Sequence, residues 1–263
     1  MKTETIASYG VTTEPLQACV NTVCEWMKSV GPTRTIICLN PHSVITAGHD
    51  SVFEDVLHDA DILLPDGAGI VLASRMLGGT IRRRITGSDI FAAINATLNE
   101  QGGTSCFFLG STPAVTKAIV NRMDRDYPHV RVAGTYSPPF RTEFTEEDDR
   151  AMLAAVNAMR PDILWVGMTQ PKQEKWIHRN RHLICAKAAI AVGAVFDFYG
   201  GRIKRSPLVF QRLGLEWLPR LMREPRRLWR RNLNGFRFIF RILLEAIASH
   251  VRKSPQVRDP SGH

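Results

Sequence analysis

Six short apolar runs rich in β-branched and aromatic residues mark the first 200 positions: TIICLN (35–40), DILLP (61–65), SCFFLG (105–110), RVAGTY (131–136), DILWVGM (162–168) and AAIAVGAVF (188–196). Longer stretches with helical spacing lie around them, at 43–59, 88–100, 112–125, 145–159 and 171–184. Strands that alternate with helices predict a doubly wound, mainly parallel α/β sheet, Rossmann-like and covered on both faces. In TEEDDRAML (145–153) Thr145 reads as a helix N-cap and the acids suit the first turn, so this charge run is a solvated face.

In such a sheet the residues just after each strand gather along one edge, where open α/β folds bind their ligands. That edge collects Asn40, Asp66, Gly110-Ser111-Thr112, Gly167 to Gln173, and Gly193 to Asp197. Asp66 follows the apolar run Ile62-Leu63-Leu64-Pro65 and precedes Gly67 and Gly69. An aspartate there shapes a turn, or it presents a carboxylate to a substrate. LGSTPAV (109–115) places hydroxyls and Pro113 at a helix start whose backbone N–H groups suit a diphosphate, and equally suit an ordinary N-cap. ITGSDIF (85–91) has the same form, with Arg84 just before it, and Arg84 and Thr86 are candidates for substrate binding. In GMTQPKQEKW (167–176), Lys172 stands at the helix end that the macrodipole disfavours for a cation. A polar or anionic neighbour explains it as well as simple solvation does.

Charge divides the chain. From Arg202 to Lys253 there are 14 Lys and Arg against three acids, whereas the first 201 residues hold 19 bases and 21 acids. The organisation expected is a catalytic core (1–201), a basic amphipathic appendage that associates with membranes (202–253) and a disordered tail (254–263). Arg220, Arg223, Arg226, Arg227, Arg230 and Arg231 interleave with Leu218, Leu221, Met222, Leu228, Trp229 and Leu233. In FRFIFRILLEAIASHV (236–251), Arg237, Arg241, Glu245 and Ser249 form one narrow polar stripe on an otherwise apolar helix. Such a helix is suited to a bilayer interface, with oligomerisation the second reading and a core-packing helix a further one. Nucleic acid is disfavoured as a partner because phosphate binding needs no wide apolar face.

Other chemistries lack their signatures. Five scattered cysteines without zinc spacing suggest reduced thiols in a cytoplasmic protein. The first 30 residues do not read as a signal peptide, and no stretch reads as a spanning helix. DGAGIVL has Leu72 where a dinucleotide fingerprint needs its third glycine. Asp59/Asp61 and Asp124/Asp126 have the spacing of metal-holding pairs in many sugar transferases. Both precede strands, on the amino edge, so no metal and no other cofactor is expected.

Taken together, LNP (39–41), LPDG (64–67), RITG (84–87), PKQE (171–174), VGAVFDFYGG (192–201) and LEWLPRLMREPRRLWRR (215–231) resemble the WecG/TagA/CpsF glycosyltransferases, glycosyltransferase family 26. The likeness runs from about Thr35 to Leu233. It implies an inverting, metal-independent enzyme, peripheral on the inner face of the cytoplasmic membrane. Such an enzyme moves a hexosyl group from a UDP-sugar to a polyprenyl-diphosphate-linked saccharide for surface polysaccharide. Glucose, N-acetylmannosamine and its uronic acid are the family's donors' sugars. The resemblance makes Asp66 the general base, gives Asn40 and Gln173 to the sugars, and places Arg84 by the donor diphosphate. It also brings Arg220, Arg227 and Arg230 over the pocket to neutralise departing UDP. Thr169 replaces a glycine usual in the family, and Cys38 a frequent threonine. The alternative from another class is a non-catalytic nucleotide-sugar-binding protein that docks on membranes.

Overall fold

The apolar runs pair into one eight-stranded sheet in the computed structural model of the chain. It describes residues 1–204, 206, 207, 210, 217–223 and 225–253, without the side chains at 217, 220, 223, 225–228, 230–232 and 248–253. In chain order the elements are β1 (Thr3–Ile6), β2 (Tyr9–Thr12), α1 (Leu16–Lys28), β3 (Arg34–Leu39), α2 (Pro41–Ala47), α3 (Ser51–His58), β4 (Ile62–Pro65), α4 (Ala68–Met76) and α5 (Gly87–Gln101). There follow β5 (Ser105–Gly110), α6 (Pro113–Asp126), β6 (Arg131–Tyr136), α7 (Glu146–Met159), β7 (Ile163–Gly167), α8 (Lys172–Asn180), β8 (Ala188–Ala191), α9 (Val195–Tyr199), α10 (Trp217–Arg223) and α11 (Pro225–Lys253).

The strand order is β1-β2-β4-β3-β8-β7-β5-β6, and every pairing is parallel except the β1–β2 hairpin. The expected doubly wound α/β sheet is what the chain forms. Its central strands are continuous apolar runs because both faces are covered. Period two then sorts their side chains: Phe107, Leu109, Leu164 and Val166 enter the core under α2, α3, α4, α7 and α8. Cys106, Phe108, Ile163 and Trp165 enter the opposite core, under α1, α5, α6 and α9.

Two local expectations change. The single helix expected at 43–59 is two, because α2 ends at Gly48 and Asp50 caps α3 by accepting from Phe53 N–H at 3.1 Å. The N-terminal hairpin and α1 have no counterpart in the pattern of runs.

Both carboxylate pairs lie where expected, on the amino edge, and both are structurally engaged. Asp61 accepts from Arg34 (2.8 Å), Arg181 (2.6 Å) and Thr35 N–H (2.8 Å), and so ties β3, β4 and α8 together. Asp59 meets His178 at 2.9 Å, and Asp126 meets Arg122 at 2.9 Å and the Tyr199 hydroxyl at 3.1 Å.

Beyond residue 201 the chain returns to the core. Helix α11 packs on α2 and α4, burying Phe238 and Ile242 completely, and Asn234 Nδ2 lies 3.1 Å from His42 Nδ1. At 100° per residue, Trp229, Leu233, Phe236, Phe240, Leu243 and Ile247 fall on the other side, in steps of four and three. Each of these six is 39–66% exposed. No helix among the described residues is long and apolar enough to cross a membrane. The tail expected at 254–263 lies outside the described residues.

Truncating a fully buried phenylalanine removes its transfer energy and leaves a cavity. Phe238→Ala should therefore cost about 3–5 kcal/mol. Urea unfolding followed by fluorescence reads the loss, and limited proteolysis should cut α11 first. Unchanged stability would show that α11 contributes nothing to the fold.

Candidate active site

Asp66 stands where β4 leaves the sheet. Its N–H donates to the carbonyl of Leu39, the last residue of β3, at 2.8 Å. Ile85 N–H donates to the Pro65 carbonyl at 2.8 Å, which brings Arg84-Ile85-Thr86 to the same point. The turn itself is built by glycines. Gly67 has φ +90° and serves as the α4 N-cap, and a β-carbon on Gly69 would stand 2.5 Å from Pro41 Cγ. The Asp66 side chain beside this turn is half-buried. Thr86 and Asp89 form a capping box at the start of α5, with Thr86 Oγ1 to Asp89 Oδ2 at 2.8 Å. Desolvation, followed by the charges of Asp66, Glu174 and Asp89, holds the Cys38 thiol well above its usual range. Three carboxylates thus lie within electrostatic reach of the end of β3.

Behind this point runs a chain of side-chain amides. Gln173 is 3% exposed, and its Oε1 accepts from Met168 N–H (3.0 Å) and Gly193 N–H (3.1 Å), the first backbone amides past β7 and in the turn after β8. Its Nε2 donates to Glu174 Oε1 at 2.8 Å. Gln170 Nε2 donates to the same oxygen at 3.2 Å, and Gln170 Oε1 accepts from Asn40 Nδ2 at 3.4 Å. Asn40 Oδ1 caps α2 by accepting from Ser43 N–H at 3.1 Å. Both residues expected to hold sugars therefore carry framework bonds, leaving each one further amide hydrogen.

The remaining edge residues divide similarly. Gly110 has φ +127°, and a β-carbon there would collide with the Gly167 carbonyl. Ser111 has φ +53° and spends its N–H on that carbonyl at 3.1 Å, so one amide expected to face a diphosphate is already used. Thr112 caps α6 through Val115 N–H at 3.4 Å. Gly193, at φ +55°, turns the chain so that its amide meets Gln173. Lys172 donates to the Arg141 carbonyl at 2.7 Å and lies 4.4 Å from the Phe144 ring centroid; it tethers the loop between β6 and α7. Burial lowers its pKa. The side chains of Arg220, Arg227 and Arg230 lie outside the described residues. Sequence reasoning placed Gln170 on this edge without singling it out and named Glu174 only within PKQE, whereas Glu174 turns inward and is 1% exposed.

The carboxyl ends of β4, β3, β8 and β7 are adjacent, and the chain crosses from β4 to β5 on the far side of β3, β8 and β7. A carboxylate and an arginine at that crossing define a doubly wound α/β protein with its candidate site at the strand ends. The chain belongs to the glycosyl transferase WecG/TagA/CpsF family, whose model matches residues 5–252. It is similar to an N-acetylglucosaminyldiphosphoundecaprenol N-acetyl-beta-D-mannosaminyltransferase of Bacillus spizizenii (strain ATCC 23059 / NRRL B-14472 / W23), at 34% identity over 87% of this chain and 86% of that one. A protein of the same name from Bacillus subtilis (strain 168) is 33% identical over 80% and 79% of the two chains. One from Staphylococcus aureus (strain MRSA252) is 27% identical over 74% of each.

The raised thiol pKa makes a chemical prediction, since only the thiolate alkylates readily. At neutral pH iodoacetamide should label the exposed Cys185 and leave Cys38 unmodified, as read by peptide mass spectrometry. Preferential labelling of Cys38 would mean that its environment is cationic.

Proposed function

We propose that this glycosyltransferase moves N-acetylmannosamine from a UDP-sugar to a polyprenyl-diphosphate-linked N-acetylglucosamine, with inversion and without a metal. The relatives' names favour this sugar over glucose or a uronic acid and supply the acceptor. The observation that carries the mechanism is the position of Asp66, half-buried at the carboxyl end of β4 where Arg84-Ile85-Thr86 comes alongside. Asp66 accepts the proton from the acceptor hydroxyl as that oxygen bonds to the anomeric carbon. The bond from that carbon to the phosphate oxygen breaks, and UDP leaves with the electron pair. Arg84 lies beside this point and is proposed for the diphosphate, with the remaining amide hydrogens of Asn40 and Gln173 directed to the sugars.

Arg220, Arg227 and Arg230 are proposed to neutralise departing UDP. Arginine's permanently charged fork can pair two phosphate oxygens, the role a metal has elsewhere. Their placement in sequence supports this: Arg227 and Arg230 belong to α11, seven and four positions before Asn234, which reaches His42 beside the LNP turn. Metal independence is supported by Asp59 and Asp61, which are engaged by His178, Arg34 and Arg181 on the opposite edge. The exposed apolar stripe of α11, flanked by exposed Arg237 and Arg241, fits the cytoplasmic face of an anionic bilayer, where each cation adds about 1 kcal/mol.

Asp66→Asn should lower turnover by roughly 10² to 10⁴ with folding and UDP affinity nearly intact. Release of UDP from UDP-N-acetylmannosamine, in the presence of a short-chain lipid-diphosphate acceptor, measures it. Near-normal turnover would return Asp66 to the turn. EDTA should leave the rate unchanged; a loss restored by magnesium or manganese would overturn the metal-independent reading. Removing residues from 202 onward should abolish liposome flotation and also cripple transfer to the soluble acceptor. Full activity of that truncation would leave the segment an anchor only. Lost activity with flotation unchanged, together with a change in oligomeric state, would assign the apolar stripe to a second copy.

A further inference from the structure

We infer that Asp89 is a further substrate-binding residue of this site: the open oxygen of its carboxylate accepts a hydroxyl of the donor's hexosyl group. The inference rests on the glycosyl-transfer reading, which supplies that sugar.

Backbone bonds fix where this carboxylate stands. Ile85 N–H meets the Pro65 carbonyl at 2.8 Å, so Thr86 runs alongside Asp66. Asp89 Oδ2 then accepts from Thr86 N–H at 2.9 Å and from Thr86 Oγ1 at 2.8 Å. A β-carbon at Gly87 would stand 3.2 Å from the Val192 carbonyl oxygen and 3.3 Å from Val195 Cγ2, so the first turn of α5 is pressed against the turn after β8. Asp89 is thereby bracketed by the ends of β4 and β8, with the end of β3 between them. The Cys38 thiol, near the end of β3, feels the charges of both Asp66 and Asp89. Asn40 follows the same strand.

Capping accounts for one oxygen of Asp89 and leaves the other. Helices α2, α5 and α7 each begin with a capping box. In α2 the third position is Ser43, whose hydroxyl accepts from Asn40 N–H at 2.9 Å, so the motif requires no charge. In α7 it is Asp148, which accepts from Thr145 N–H at 2.9 Å while buried, with the Arg141 guanidinium 3.6 Å away. Asp89 makes the same bond without that cover. It is half-buried, and among the described residues its side chain is hydrogen-bonded to Thr86 alone, through Oδ2. The dipole of α5 accommodates the charge, and an ionised carboxylate accepts on both oxygens.

A hexose presents hydroxyls that donate as well as accept. The remaining amide hydrogens of Asn40 and Gln173, and the guanidinium of Arg84, can only donate, and Asp66 is taken by the attacking hydroxyl of the acceptor. With those groups alone the donor sugar's hydroxyl hydrogens lack a partner, which costs binding wherever water is excluded. Asp89 Oδ1 supplies the missing acceptor. A carboxylate repels the diphosphate and pairs strongly with a hydroxyl, so its partner is the sugar.

The test separates binding from capping. Asp89→Ser reproduces the box of α2, and Asp89→Asn keeps one oxygen for Thr86 N–H; neither leaves a carboxylate oxygen for the sugar. Both should raise KM for UDP-N-acetylmannosamine roughly 10- to 100-fold with kcat little changed, the loss of one charge-assisted bond made equally in ground and transition states. Calorimetric titration should show UDP itself binding as it does to the wild type. Asp148→Ser makes the same exchange in α7 and should leave KM unchanged. Wild-type KM in D89S and D89N overturns the inference. So does an equal weakening of UDP, a rise confined to the KM of the acceptor, or the same rise in D148S. If D89S and D89N both fail to fold, the carboxylate is structural and the inference falls; one folded variant suffices for the kinetics. A wild type that neither binds nor turns over the UDP-sugar removes the functional reading and this one with it. An active wild type with unaffected variants removes this one alone.

Discussion

A buried parallel sheet satisfies its peptide groups only while strands run side by side; where the chain turns away, the last N–H and C=O groups must find partners elsewhere. The carboxyl edge of this sheet is organised around that constraint. The amides of Met168 and Gly193 find the oxygen of Gln173, Ser111 N–H finds the Gly167 carbonyl, and Asp66 N–H finds Leu39. These bonds cross between strands distant in sequence. They fix the loops after β3, β4, β8 and β7 relative to one another before any ligand arrives. A site assembled this way is preorganised, which matters for a reaction whose barrier is lowered by holding groups in place.

The same accounting explains why the sequence was legible in some places and opaque in others. Strands such as SCFFLG and ILWVG are buried on both faces, so their composition alone marks them. The β1–β2 hairpin escaped because it is short and turns through Ala7 and Ser8 at φ +49° and +80°, positions where asparagine and glycine usually give the signal. The break between α2 and α3 was visible in Gly48 and Asp50, but the continuous apolar periodicity across 43–59 outweighed it.

Site residues were legible by position and less so by role. Asn40, Asp66 and Gly193 follow strand ends and Gln173 lies in the first turn of the helix after β7, and strand ends were readable. That Gln173 would face two backbone amides and a buried carboxylate was not, because those partners come from residues 168, 174 and 193, and only packing brings them together. Lys172 shows the same limit. Its adverse place in the helix dipole suggested a polar or anionic neighbour or simple solvation, and the neighbour is a carbonyl with an aromatic ring beside it, which no sequence pattern singles out. A motif such as PKQE thus reports a fixed local geometry, and the sequence leaves open whether each member touches substrate or framework.

Helix α11 carries the tension between core and surface furthest. A helix of this length with one apolar face would be an ordinary core element; with two, it must satisfy both. Phe238 and Ile242 settle one face against α2 and α4, and fully burying such side chains contributes about 1.5–3 kcal/mol each. The opposite face, from Trp229 to Ile247, stays exposed over about five helical turns, more than scattered surface hydrophobics account for. Because the buried face rests on α2, which begins at Pro41 just after its Asn40 cap, whatever covers the exposed face is held at a fixed distance from the carboxyl edge. A lipid-linked acceptor has its diphosphate at the membrane surface and its chain within it. For the lipid-linked acceptor proposed above, a helix docked on one side to the candidate-site turn and apolar on the other would meet both requirements with one rigid element.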